Sequence, residues 1–80
     1  MGTLSWPAKG AVAVVKSDVA TDRFSPSIIY AHDAGNLTAV GEDDVTFTVP
    51  MDANTWIPVR VTGVLDTGTT ITNLTRFILE

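Results

Sequence analysis

The stretch Asp44-Val45-Thr46-Phe47-Thr48-Val49 decides the fold class, because polar and apolar side chains alternate along it without interruption. Successive side chains of a β-strand point to opposite faces, so Val45, Phe47 and Val49 would share one face. Aspartate and threonine occupy the other face. The segment is therefore predicted to be a strand that buries one face and leaves the other exposed.

The segment 56–65 shows the same kind of alternation. Its residues expected to point inward are Ile57, Val59, Val61 and Leu65. Pro58 has no backbone N–H to donate, so it is expected at a sheet edge or a bulge. Elsewhere, short runs rich in valine and threonine are separated by glycine, aspartate, asparagine and proline, which is typical of strands joined by tight turns.

Together these patterns predict an all-β protein, a small antiparallel β-sandwich or barrel of about six short strands with an extended N-terminal arm. The arm is assigned to residues 1–10 and the single β domain to residues 11–80. The expected strands are 11–15, 27–31, 36–40, 44–49, 56–65 and 73–79. The residues expected at the centre of the core are Val45, Phe47, Val49, Ile57, Val59, Val61 and Phe77.

Three turns are predicted from their glycine, aspartate and asparagine residues. The segment 33–36 is expected to join two strands as a hairpin, with Gly35 or Asn36 adopting positive φ. The segment 41–43 turns into the strand at 44, and the segment 66–69 forms a turn after Leu65.

Two predicted strands are apolar on both faces, and such strands need a cover on each side. Val12 and Val14 alternate with alanines, and Ile28 stands next to Ile29. One interpretation is that a neighbouring subunit supplies the second cover. The alternative is that single apolar side chains remain on a partly exposed face, which is common in folded proteins.

The composition favours association with other chains. The 80 residues include no cysteine, which excludes disulfides and cysteine-based zinc sites, and 45% of them are hydrophobic against 18% charged. A core of this size is marginal, so oligomerisation is the expected support. The net charge of −4 and the dispersed basic residues argue against a nucleic-acid partner. The longest apolar run, 10–15, is too short to cross a bilayer.

The first ten residues show no periodicity and are predicted to form an arm, in which Trp6 would anchor on a neighbouring subunit or a larger partner. Trp6 and Trp56 each have two interpretations, an interface anchor or a cap on the chain's own core. The candidate interface residues are Leu4, Trp6, Pro7, Val12, Val14, Ile29 and Trp56.

The residues that carry chemistry do not form a catalytic pattern. His32 is the only histidine and stands beside Asp33 in a predicted turn, without a Gly-x-Ser-x-Gly elbow nearby. The acidic run 42–44 lacks the spacing of a calcium loop, and no glycine-rich phosphate loop is present. The sequence therefore predicts a protein that is not an enzyme and that requires no metal or cofactor.

Several short motifs follow one another in a definite order. They are Ala13-Val-Val-Lys-Ser-Asp18 with Thr21-Asp22, Ile28-Ile-Tyr30, Ala34-Gly-Asn36, Val45-Thr-Phe47, Ile57-Pro-Val-Arg-Val61 and Thr67-Gly-Thr-Thr70. In order and spacing they resemble a family of small tailed-phage head proteins that is similar to the spike-base protein of the gene transfer agent of alphaproteobacteria. The resemblance covers residues 11–79 and is most specific from Pro58 to Thr70. The ending 75–80 departs from the Val-Ala-Leu-Tyr with which relatives usually finish.

The resemblance implies a virion structural protein on the outer surface of an icosahedral capsid, made in the cytoplasm of a bacterial host. The leading hypothesis is a capsid cement or decoration subunit that binds the major capsid protein and copies of itself. A trimer is preferred because a subunit placed where three capsomers meet inherits three-fold symmetry, whereas the spike-base likeness argues for a pentamer. The alternative is the base of a head spike or fibre at the capsid vertices, in contact with a spike or fibre protein.

A small carbohydrate- or peptide-binding β module is the remote alternative. Such a module needs an exposed aromatic platform or a concave pocket. Trp6, Trp56 and Tyr30 are too scattered in sequence to predict a platform.

Overall fold

The computed structural model describes residues 10–79, which form six strands and one short turn of 3-10 helix at Ala20–Asp22. The strands are β1 (Gly10–Ala13), β2 (Ser27–Ala31), β3 (Gly35–Gly41), β4 (Thr46–Met51), β5 (Thr55–Val64) and β6 (Leu74–Ile78). The prediction of an all-β fold is confirmed. Within residues 10–79, no helix has the length and apolar character needed to cross a bilayer.

All six strands belong to one antiparallel sheet in the order β1-β6-β2-β5-β3-β4. The long strand β5 lies at its centre and pairs with two strands on different parts of its length. Ile57, near its start, is opposite Ile29 of β2, whereas Val64, at its end, is opposite Ala39 of β3. The sheet therefore places β1 and β4 at its two edges.

The predicted hairpin at 33–36 is wrong, because β2 and β3 do not pair with each other and both pair with β5. The chain bends between them. Asp33 holds this bend, since its Oδ2 accepts hydrogen bonds from the backbone N–H of Thr72 at 3.0 Å and from the Thr72 hydroxyl at 2.7 Å. Gly35 permits the close approach, because a Cβ there would lie 2.7 Å from Oγ1 of Thr70.

The other two predicted turns are present. Between β3 and β4 the chain reverses over residues 42–45, where Asp44 has a φ of 69° and the N–H of Gly41 donates to the carbonyl of Val45 at 2.9 Å. After β5, Gly68 has a φ of 93°, and a Cβ there would lie 2.5 Å from Oγ1 of Thr38. Glycine at 68 is thus required by both conformation and space.

The core lies on one face of the sheet, which must curve to enclose it. Its buried cluster comprises Ile29, Ala31, Leu37, Ala39, Ile57, Val61, Val64, Ile71 and Leu74. Val14 and Phe24, which precede β2, pack against this cluster, as do Phe47, Val49 and Met51 of the edge strand β4. The guanidinium of Arg76 lies 4.5 Å from the ring centroid of Phe24.

Two residues predicted to be central in the core are exposed, Val45 to 58% and Val59 to 40%. Val45 lies in the β3–β4 turn, one residue before β4 begins. Val59 is displaced by a bulge in β5. Ser27 and Ile29 of β2 are two residues apart, whereas their partners in β5, Val61 and Ile57, are four residues apart. The prediction that Pro58 sits at a bulge is therefore confirmed.

Phe77 is half-buried and lies outside the core cluster. Its cross-strand partner is Ile28, which is on the face of β2 opposite to the core residue Ile29. Ile28 and Ile29 are both buried within this single chain, so β2 does not need a neighbouring subunit to cover its second face.

Candidate interaction surface

The predicted interface residues have different positions in the structure. Ile29 is fully buried in the chain's own core, so its assignment to an interface is wrong. Val14 is half-buried against that core, whereas Val12 and Trp56 are 42% and 53% exposed. The remaining candidates, Leu4, Trp6 and Pro7, lie outside the described residues.

A partly exposed aromatic surface occupies the face of the sheet opposite to the core. Tyr30 of β2 is the cross-strand partner of Trp56 in β5. Ile28, two residues before Tyr30 and therefore on the same face of β2, is the partner of Phe77 in β6. Cross-strand partners share a face, so Tyr30, Trp56 and Phe77 lie on the same side of the sheet. We call these three residues the aromatic patch.

Edge-to-face contacts hold the Tyr30 ring of this patch. The ring centroids of Tyr30 and Phe77 are 6.3 Å apart with an interplanar angle of 81°. The centroid of Tyr30 is 4.9 Å from that of His32, at 66°. Trp56 and Tyr30 are thus cross-strand partners despite their separation in sequence.

Alanine and hydrogen-bonding side chains lie next to the aromatic patch. Ala11 and Ala13 of β1, both exposed, are opposite Phe77 and Thr75 in the sheet. His32 Nε2 lies 2.8 Å from the Thr75 hydroxyl, and the Tyr30 hydroxyl donates to Oδ1 of Asn54 at 3.4 Å. The arrangement combines apolar rings with hydrogen-bonding groups at the rim, which suits a partner surface of mixed polarity.

A second apolar surface lies between β4 and β5, and we call it the β4–β5 groove. It consists of two adjoining hollows of about 370 and 310 Å³. The first is lined chiefly by Val45, Phe47 and Val59. The second is lined chiefly by Val49, Met51, Ile57 and Pro58, with Trp56 at its rim. Within residues 10–79, β4 pairs only with β3, so its other edge offers unused backbone groups.

Acidic side chains stand at both ends of this groove. Glu42 and Asp43 border the first hollow, and Asp52 borders the second. Glu42 pairs with Arg60, whose guanidinium lies 3.2 Å from the Glu42 carboxylate. The groove is therefore apolar along its walls, with Asp43 beside the Glu42–Arg60 ion pair at one end and Asp52 at the other.

The carboxylates with shifted pKa values hold loops and do not form a reactive centre. Hydrogen bonds from the Thr67 hydroxyl at 2.6 Å and the Thr67 backbone N–H at 2.9 Å lower the pKa of Asp18. The corresponding bonds from Thr72 lower the pKa of Asp33. Both aspartates therefore fasten the segment between β5 and β6 to a distant part of the chain.

The acidic run 42–44 does not form a cation site by itself. Asp44 lies 3.2 Å from the guanidinium of Arg23, and Glu42 pairs with Arg60. In the part of the chain that the structure describes, no group of three or more histidine, aspartate or glutamate side chains could hold a metal ion.

Comparison with known proteins gives no assignment: no family model matches the chain, and no curated protein matches it significantly.

Proposed function

We propose that this chain is a virion structural protein, a capsid decoration or cement subunit that binds the outer surface of an icosahedral phage head. The observation that supports this proposal most is the aromatic patch. Trp56 is 53% exposed on the sheet and is the cross-strand partner of Tyr30, whose ring packs against Phe77. Exposed aromatic residues on a rigid surface are the usual anchors of protein interfaces.

The sequence motifs and the composition point the same way. The motifs resemble those of small tailed-phage head proteins, and the protein is small, acidic and rich in hydrophobic residues. The partners in this proposal are the major capsid protein and further copies of the chain, as a trimer in preference to a pentamer. The proposed role is to stabilise capsomer contacts, and it includes no catalysis.

The proposal is tested by replacing Trp56 with alanine and measuring the copies retained on purified capsids. Val15→Ala is the matched control, since Val15 is 77% exposed and lies outside the aromatic patch. A central aromatic anchor contributes at least ~2 kcal/mol, so Trp56→Ala should weaken capsid binding by roughly thirtyfold. Full occupancy of capsids by Trp56→Ala, or no capsid binding by the parent, would contradict the proposal.

The number of copies on each particle separates a cement subunit from a spike or fibre base. A cement subunit is expected in roughly hundreds of copies, and a base at the vertices in roughly tens at most. Quantitative mass spectrometry of purified particles, calibrated against the major capsid protein, gives this number.

A second candidate is a small carbohydrate-binding module, and the adjacency of Tyr30 and Trp56 favours it specifically. Aromatic rings stack on sugar rings, and His32 and Asn54 could hydrogen-bond sugar hydroxyls from the rim. Titration with oligosaccharides, followed by tryptophan fluorescence, tests this function. The carbohydrate-binding role would be supported over the decoration role if the parent bound an oligosaccharide saturably, Trp56→Ala abolished this binding, and the parent did not bind capsids.

A further inference from the structure

We infer that the β4–β5 groove receives residues 1–9 of a second copy of this chain, held in an extended conformation along β4. This inference deepens the self-association in the proposed function but does not depend on the capsid partner. It can therefore be tested with the purified protein alone.

The first reason is the chemistry of the groove. Val45 and Val59 are exposed large hydrophobic residues that line the same hollow as the half-buried Phe47. The second hollow continues this apolar surface past Val49 and Met51. An apolar channel beside an unused strand edge is the typical receptor for an added extended segment, which gains both backbone hydrogen bonds and side-chain pockets.

The second reason is the pattern of residues 1–9. Leu4, Trp6 and Ala8 stand two apart, so they would share one face in an extended conformation, while Thr3, Ser5, Pro7 and Lys9 would share the other. Three positions are too few to predict a strand by themselves. Against the groove, however, the pattern provides apolar side chains for the hollows and polar ones for solvent.

The third reason is length and charge. Nine extended residues span up to ~30 Å, and a six-residue strand such as β4 is ~20 Å long, so the segment can follow the whole groove. Residues 1–9 contain Lys9 and no acidic residue, whereas the groove is lined by Asp43 and Asp52 in addition to the Glu42–Arg60 ion pair. The charges are thus complementary.

A second copy is the expected donor because of where the segment leaves the fold. Residues 1–9 precede β1, which is at one edge of the strand order, and the groove borders β4 at the other edge. Passing a segment from the β1 edge of one copy to the β4 edge of the next is a head-to-tail contact. Such a contact closes into a ring when its rotation divides a full turn evenly, as a trimer or pentamer requires.

The first test measures self-association by analytical ultracentrifugation. Val59→Asp places a charge in the groove, and Val15→Asp makes the same change at an exposed valine outside it. Val59→Asp and deletion of residues 1–7 should each weaken association at least tenfold, while Val15→Asp should leave it unchanged. Circular dichroism checks that every variant keeps its β structure. Association that survives both the deletion and Val59→Asp would overturn the inference.

The second test locates the contact by disulfide trapping, which is clean because the chain has no cysteine of its own. A Leu4→Cys preparation is mixed with a Val45→Cys preparation under mild oxidation. A covalent heterodimer should form, and it should form far less when Thr46→Cys replaces Val45→Cys, since Thr46 is exposed but does not line the groove.

Two outcomes of the trapping experiment would overturn the inference. One is cross-linking that is no greater for Val45→Cys than for Thr46→Cys. The other is a Leu4→Cys, Val45→Cys double variant that closes its disulfide within one chain and remains a monomer at all protein concentrations. Capsid binding is absent from both tests, so their failure is distinguishable from failure of the decoration role.

Discussion

Replacing Leu37 with alanine should destabilise the fold more than replacing Phe47, although phenylalanine is larger and its strand has the most regular sequence. Leu37 is fully buried in the core cluster, so its truncation leaves an internal cavity and should cost about 3–5 kcal/mol. Phe47 is half-buried at the open groove, and its truncation widens a space that solvent already reaches. Its loss should cost about 1–2 kcal/mol.

Urea unfolding followed by circular dichroism measures both values. All variants are compared at one protein concentration, because association of the native state adds apparent stability. A domain of this length has a free energy of unfolding of roughly 4–12 kcal/mol. Leu37→Ala should therefore greatly lower the urea concentration at which half the protein is unfolded, while the dependence of the unfolding free energy on urea stays unchanged. A Phe47→Ala protein as destabilised as Leu37→Ala would refute the placement of Phe47 at the groove.

Three further predictions concern single residues. Gly68→Ala should lower the free energy of unfolding in urea by more than about 1 kcal/mol, because Gly68 has a positive φ and an added Cβ would contact the Thr38 hydroxyl. Gly10→Ala is the control and should be nearly neutral, since no neighbour is closer than 3.9 Å to the added Cβ. The folded-state pKa values of Asp18 and Asp33 lie below the ordinary 3.8. The two ionised carboxylates therefore stabilise the fold above that pH, and this contribution is lost as the pH falls through the lower folded-state pKa values. Asp18→Asn and Asp33→Asn should therefore reduce stability at neutral pH and flatten its decline in acid, and equal acid sensitivity in parent and variants would contradict this. His32 lies at the rim of the aromatic patch, where truncation costs little binding energy, so His32→Ala should leave particle assembly unchanged, as should treatment with a chelator. Loss of assembled particles in either case would show a role for the imidazole or a metal.

The strands could be predicted from sequence because their signals are local. Every observed strand begins and ends within two residues of its predicted bounds. Alternation of valine and threonine marks β4, and glycine, aspartate and asparagine mark the turns at 41–43 and 66–69. Each of these signals acts over a few residues, so one sequence contains all the information they need.

The pairing of strands could not be predicted in the same way. Residues 33–36 have the composition of a hairpin turn, but the partner of both flanking strands is β5, which begins about twenty residues later. The bend is stabilised by Thr72, which Asp33 contacts across 39 residues of sequence. Local turn chemistry therefore identified a change of direction but not what the chain paired with afterwards.

A single bulge accounts for the exposure of Val59 and for the formation of the aromatic patch. If β5 ran opposite β2 without the bulge, with Val61 still opposite Ser27, Val59 would lie opposite Ile29 and point into the core, as the alternation predicted. In that register Pro58 would be opposite Tyr30, and Trp56 would lie beyond the end of β2.

The bulge instead moves Ile57 into the place opposite Ile29, and Trp56 therefore becomes the partner of Tyr30 on the outer face. Pro58 favours this arrangement because it has no N–H to contribute to a regular ladder. The same local irregularity thus exposes Val59 in the β4–β5 groove and joins two aromatic residues into a surface. Both candidate contact surfaces depend on a deviation from the alternation that predicted the strand.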